Sequence, residues 1–275
     1  MPAASCSAKI HVLPDDVVSR IAAGEVVERP AAVVKELLEN SLDAGGLHIT
    51  IDVKDGGLAL IRVTDDGEGI NRADLLLAFE RHATSKLRSD RDLASVTTLG
   101  FRGAALPRIA SVPHMLVTTS TRQDTMMGSQ LTLVAGAGGS IVDAPAVPGT
   151  RIDVSNLFFN QPARKKFLKS ATTEFSHISH VVQLAGLAWP SVHFRLAHNG
   201  QEILNYPAVT ADRDRILQVS RQAFLDRTLE VQGRIAGLSI RGVMIDPVDA
   251  RSYGTPQVLF VNRRPCRNRL VFPAV

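Results

Sequence analysis

The sequence predicts an α+β protein in which helices are layered on one mixed sheet. Three observations carry that prediction. Apolar residues recur at helical spacing in some stretches and in alternation in others, so both kinds of element are present. Helical and strand segments follow one another without the strict strand–helix–strand rhythm of a parallel doubly wound fold. Several strands come in neighbouring pairs joined by glycine-containing turns, as antiparallel hairpins do. At 275 residues, 45% hydrophobic and 21% charged, the chain has the composition of a soluble globular protein. It suffices for one large domain or two smaller ones. No apolar run approaches membrane-spanning length and no N-terminal segment resembles a signal peptide, so no membrane partner is expected. Cys6 and Cys266 lie at opposite ends, which offers neither a disulfide framework nor a zinc cluster. A reducing, cytoplasmic location is the expectation.

In order along the chain, "DDVVSRIAAGEVVERP" reads as a short helix and a connection, with Pro30 opening the next helix. "VVKELLENSLDAGG" places Val33, Val34, Leu37, Leu38 and Leu42 at helical spacing and closes on Gly45-Gly46. "HITIDV", a turn at "KDGG" and "LALIRVTD" form a hairpin, and "NRADLLLAFE" is expected to be helical. From Arg81 to about Gly103 the sequence is polar and irregular, a long loop of the kind that serves as a lid or binding loop. Strands follow at "HMLVTTS", "SQLTLVA" and "GTRIDVS", with "GAGG" as a flexible turn between the last two. Helices return at "PARKKFL" and "TTEFSHISHVVQLAGLAW", and "VHFRLAHNGQEILNY" is a hairpin around Asn199-Gly200. "PAVTADRD" marks a boundary, after which a helix and several strands begin again.

The chemistry sits at a few points. Glu36 and Asn40 are four residues apart on the helix that starts near Pro30, hence stacked on one side of it. Taken alone they are the polar edge of an amphipathic helix. "TDDGEGI" ends a strand with Asp65, Asp66, Gly67, Glu68 and Gly69. In isolation a tight turn is the commoner reading. The sharper one is a nucleotide pocket, where Asp65 accepts from an adenine amino group and Gly67 and Gly69 admit the base. "LGFRGAAL" sets Gly100 and Gly103 before a helix, either as a hinge or as backbone donors to a phosphate. No "GxxxxGK[ST]" loop exists, which excludes a P-loop ATPase. From Arg251 to Val275 there are five arginines and no acid, four of them in "RRPCRNR".

The order of the strings says more than any one of them. "IAAGEVVERPAAVVKELLENSLDAG", "DDGEGI", "RHATSKL", "GFRGAAL", "GTRIDVSNLFFNQPARKKFL" and "FVNRRP" resemble, in this sequence, the MutL family of DNA mismatch-repair ATPases. That family belongs to the gyrase, Hsp90, histidine-kinase and MutL superfamily. The resemblance implies a Bergerat-type ATP-binding sandwich over residues 1–210, with a lid at about 80–103. Residues 211–275 would then be the first half of a ribosomal-S5-like domain, ending before the lysine that such a domain supplies to the γ-phosphate. It further implies Glu36 as general base, Asn40 as Mg²⁺ ligand and Asp65 as the adenine-binding acid, with Gly69 beside the base and Thr150 in support. Thr84, Ser85 and Lys86 fall in the ATP lid, and Gly100, Phe101, Arg102 and Gly103 in the phosphate loop. ATP and Mg²⁺ are the implied cofactors. The implied partners are double-stranded DNA, a second copy of the chain and a mismatch-recognition protein of the MutS type. Arg264, Arg267 and Arg269 are the candidate DNA contacts, through phosphates.

Glu39, turned about 100° from Asn40 on the helix, is expected in solvent. Glu174, His177 and His180, three residues apart, are read as a surface stripe rather than a metal site. The chain departs from the family at Ala104, where a glutamate is usual, at Pro107, and at Arg263, where a glycine is expected. Two function classes stay open: an ATPase that dimerises on binding ATP, and a nucleotide-binding, DNA-contacting module without turnover of its own.

Overall fold

Nine strands form one sheet, and the first question is what covers it. The computed structural model describes residues 27–80, 83, 99, 105–124, 126–220, 222–246, 248–249 and 257–266. The short helix expected before residue 27 and most of the 81–103 loop lie outside them. Helix α1 (Pro30–Asp43) begins with proline at its first position, where the missing N–H costs nothing. It ends before Gly45, whose φ of 72° reverses the chain. Strands β1 (His48–Lys54) and β2 (Leu60–Asp65) pair antiparallel around an Asp55–Gly57 turn. A short α2 (Ala105–Ala110) leads to β3 (His114–Ser120) and β4 (Met127–Val134). Next come β5 (Ala137–Gly138), β6 (Val142–Pro145) and β7 (Gly149–Ser155). Helices α3 (Pro162–Phe167) and α4 (Ala171–Ala188) cross back to β8 (His193–His198) and β9 (Gln201–Tyr206).

The sheet runs β5-β4-β3-β7-β2-β1-β8-β9, with β6 beside β4. Every pairing is antiparallel except β1 with β8. This is the expected mixed, mostly antiparallel sheet. Its strands alternate: Ile49, Ile51 and Val53 of β1 are buried while their neighbours are not, so one face is apolar. That face packs against Val33, Val34, Leu37, Leu38 and Leu42 of α1 and Ile178 and Val182 of α4. Each such side chain contributes about 1.5–3 kcal/mol when fully buried.

Two expectations need correction. Residues 71–80 are not a helix but turns ending in a 3-10 segment, Leu77–Phe79. The Asn71 side chain accepts from the Ala73 N–H, and Leu76 and Leu77 stay exposed, so only Leu75 is buried to reward a longer helix. The "GAGG" segment is not a plain turn either. Ala135-Gly136 make the turn, and Ala137–Gly138 fold back as β5 on the edge of β4.

After the boundary come α5 (Asp212–Val219), α6 (Gln222–Leu225), the hairpin β10 (Thr228–Ile235) and β11 (Leu238–Ile245), and the hairpin β12 (Leu259–Val261) and β13 (Arg264–Cys266). Arg215 anchors α5. It is 0% exposed, and its guanidinium donates to the carbonyls of Pro190 (2.6 Å), Val192 (2.7 Å), Pro207 (3.1 Å) and Tyr206 (3.2 Å). It also lies 5.7 Å from the Tyr206 ring centroid. Carbonyl dipoles thus hold a charge inside the protein. Replacing Arg215 with methionine is expected to cost about 3 kcal/mol, because four carbonyls lose their donor, and a thermal melt will show it as a lower Tm.

Candidate functional site

Asp65, the last residue of β2, is 8% exposed, and its carboxylate is met by three donors. Ser41 Oγ of α1 donates at 2.7 Å, the Gly67 N–H at 3.0 Å and the Thr150 N–H of β7 at 3.3 Å. Burial pushes its pKa up, and the bonds from Ser41, Gly67 and Thr150 only partly offset that. Thr150 is held in turn by Thr119 of β3, whose hydroxyl lies 3.1 Å from that of Thr150 and accepts from the Ile70 N–H. Thr150 therefore meets Asp65 through its backbone, while its hydroxyl is engaged with Thr119.

Asp66 takes the opposite course. It is partly exposed, and burial acts to raise its pKa. The backbone N–H and ring of His48 and the N–H of Leu47 outweigh this and bring it below the usual carboxylate range. Its work is to fasten the α1–β1 connection to the end of β2. Gly67 and Gly69 have a structural reason of their own. A Cβ on Gly67 would come within 2.7 Å of the Ala44 carbonyl oxygen, and one on Gly69 (φ +74°) would collide with the Ser120 carbonyl. An open cleft of about 600 Å³ runs along this turn, lined by Ala44, Gly45, Gly67, Glu68, Gly69 and Thr121 among others. Glu36, Asn40 and Asp65 are not among its lining residues. The cleft thus opens beside the glycine turn rather than over the helix that carries the first two.

Both Glu36 and Asn40 are partly buried on α1. Among the described residues Glu36 makes no hydrogen bond or ion pair, which leaves its carboxylate available. Ser41, adjacent to Asn40, ties this helix to Asp65, so all three predicted residues share one rigid unit. Glu39 corrects its expectation: its side chain is only 22% exposed, lies 3.6 Å from Lys35, and burial raises its pKa. The Leu99 N–H donates to Asp43 Oδ1 at 2.8 Å, which brings the end of the long loop to the C-terminus of α1. Thr84, Ser85, Lys86, Gly100, Phe101, Arg102, Gly103, Arg267 and Arg269 lie outside the described residues. Arg264 is exposed on β13, with Nη2 at 3.4 Å from the Leu99 carbonyl oxygen. Sequence reasoning missed Ser41, Asp43 and Thr119, because each acts across elements and none forms a local pattern.

Known proteins share this architecture. A family profile described as histidine kinase-, DNA gyrase B- and HSP90-like ATPase matches residues 28–145. The DNA mismatch repair protein MutL of Anaeromyxobacter sp. (strain K) is 44% identical over 267 residues, covering 97% of this chain and 44% of that protein. MutL of Akkermansia muciniphila is 43% identical over the same share of the chain, covering 42% of its own length. The chain thus spans less than half of these relatives. The Aquifex aeolicus MutL ATPase domain complexed with ADP superposes with a TM-score of 0.69 at 28% identity, covering 90% of this chain and 86% of that one. The crystal structure of the N-terminal domain of a DNA repair protein gives 0.75 at 27% identity, covering 91% and 78%. The chain belongs to the MutL family.

Its fold is that of a MutL ATPase domain, and its departures from the family pattern can now be located. Pro107 lies in α2, whose first described residue is Ala105. Ala104 lies outside the described residues. The Glu174, His177 and His180 stripe divides: both histidines are exposed, whereas Glu174 is 1% exposed and accepts from the Lys169 N–H at 3.0 Å, closing the start of α4. Among the described residues no three metal-ligating side chains cluster.

Asp65 generates a pH prediction with a definite sign. Its folded pKa is raised, so its contribution to stability is fully present below the unfolded pKa and lost as pH rises through the folded one. Asp65→Asn keeps an acceptor for Gly67 and Thr150 and carries no charge to bury. Its Tm at neutral pH is expected to equal or exceed that of the parent, with the difference closing as the pH falls below the parent's folded pKa. A Tm deficit at neutral pH would mean that the ionised carboxylate stabilises the fold.

Proposed function

We propose that this chain binds ATP with Mg²⁺ and hydrolyses it slowly to ADP, as the nucleotide switch of a mismatch-repair protein. The observation that supports this best is one helix, α1, bearing Glu36, which makes no hydrogen bond or ion pair among the described residues, and, one turn on, Asn40, and joined by Ser41 to the buried acid Asp65. The chemistry of the donor set fits the nucleotide. Asp65 offers a carboxylate edge to an exocyclic amino group, and the amide oxygen of Asn40 is a hard donor suited to Mg²⁺, which retains several waters. When bound, Mg²⁺ neutralises phosphate charge. The protein's own work is to orient a water at Glu36, accept its proton there, and hold the adenine end at Asp65. Phosphoryl transfer asks mainly for such placement. The relative of known structure whose name includes ADP is in keeping with this reading.

Within the same proposal, residues 1–210 are the ATP-binding domain, its lid at about 80–103, and 211–275 the first half of a ribosomal-S5-like domain. Nucleotide-gated pairing of two copies, a MutS-type partner and sequence-independent duplex binding complete it. A chain that binds nucleotide without turning it over is the second reading.

Calorimetric titration with a non-hydrolysable ATP analogue and Mg²⁺, set beside steady-state turnover, separates the two. Glu36→Ala is expected to keep analogue affinity and abolish turnover, since a general base acts in the transition state. An equal loss of both makes Glu36 structural, and affinity without any parent turnover selects the second reading. For DNA, the combined replacement of Arg264, Arg267 and Arg269 with glutamine is expected to weaken duplex binding. The slope of log affinity against log salt should flatten by about one for each phosphate that the variant no longer neutralises. An unchanged slope puts the DNA surface elsewhere.

A further inference from the structure

Among the described residues, four hairpins close on two-residue turns with both residues at positive φ. In three of them the second residue is glycine: Ala135-Gly136, Asn199-Gly200 and Ala236-Gly237. The fourth, Asn262-Arg263 between β12 and β13, has φ values of 50° and 65° and places an arginine where the others use glycine. A left-handed conformation is strained for any residue with a Cβ, so something must offset it. The guanidinium of Arg263 sits 4.3 Å from the centroid of the Trp189 ring, the residue that caps α4. Beyond the turn, Arg264 Nη2 lies 3.4 Å from the carbonyl oxygen of Leu99. The N–H of Leu99 is already held by Asp43 of α1. Arg264 also acts electrostatically on Glu39 of α1, whose carboxyl burial raises and whose near neighbours are Lys35 and Glu36.

We infer that Arg263 and Arg264 are positioning residues. Arg263 staples the β12–β13 turn to Trp189, and so directs Arg264 at the carbonyl of Leu99, whose N–H is held by Asp43 at the end of the helix that carries Glu36. The chain thereby links its later hairpin to the nucleotide site through a contact that glycine in the turn cannot make. The cation–π contact is the attractive element and the positive φ its cost. Arg264 acts through Leu99 and α1, not on the nucleotide. The inference rests on the reading of Glu36 as the base.

Trp189 is the only tryptophan, so its fluorescence reports the staple directly. The full chain is compared with Arg263→Gly, Arg263→Lys, Arg264→Gln and the Arg263→Gly/Arg264→Gln pair. Arg263→Gly installs the residue the other three turns already use, so folding is preserved. Acrylamide quenching of Trp189 is expected to rise about twofold in Arg263→Gly and less in Arg263→Lys, which keeps a cation over the ring. In both Arg263→Gly and Arg264→Gln, kcat falls about three- to tenfold while KM and analogue affinity hold, and the pair falls no further than Arg264→Gln alone. Unchanged quenching overturns the staple. Unchanged kcat in Arg264→Gln, or additive losses in the pair, overturns the positioning role. If the parent chain fails to bind the analogue, the nucleotide-site reading falls and the positioning role with it, while quenching still decides the staple.

Discussion

The carboxylate of Asp65 stands at a junction of α1, the glycine turn and β7, and it is satisfied only when all three are in place. A buried polar group left without partners costs more than most single contacts return. Ser41, Gly67 and Thr150 therefore act together as a geometric constraint. Ser41 fixes the rotation of α1 about its own axis. With that rotation set, the apolar stripe from Val33 to Leu42 faces the sheet, and Glu36 and Asn40 are left at its edge. The strained or crowded glycines around Asp65 follow from the same demand, because the turn must pass close to Ala44 and Ser120 to complete the set.

A second level of organisation joins residues after 211 to this unit, and two of the contacts that do so differ in kind. Arg215 is buried among carbonyls with two aromatic rings near it, an arrangement that cannot loosen without exposing a charge to unpaired dipoles. Arg263 lies on an exposed turn and holds Trp189 by a contact of modest strength, near the scale of ordinary thermal competition at a surface. The first holds α5 against the β8–β9 side of the sheet, and the second holds the β12–β13 turn against the end of α4.

The elements with strong periodicity were legible in the sequence, and the misread ones were those where local pattern and tertiary reward disagree. "NRADLLLAFE" has the residues of a helix, but only Leu75 is fully buried while Leu76 and Leu77 stay exposed, and Asn71 offers its own side chain to the backbone. "GAGG" looks featureless because β5 and β6 are edge strands whose pairing depends on β4 rather than on their own apolar content. Glu39 looks solvated on a helical wheel, which knows the angle of a side chain but not that the surrounding protein leaves it only 22% exposed.

By itself the sequence determined the residue types at the site, their spacing along α1 and the alternating strands, since these depend on neighbours a few positions away. It also determined family membership, through the order of its motif strings. Only the tertiary structure decided that Ser41 and Thr150 hold Asp65, that Asp43 meets Leu99, and that Arg263 has an indole to rest on. Those pairs are 24, 85, 56 and 74 positions apart, as their residue numbers show. No local propensity encodes them. They form because burying the α1 stripe brings separate strand ends and loops to one place, where hydrogen bonds and charge then select which side chains meet.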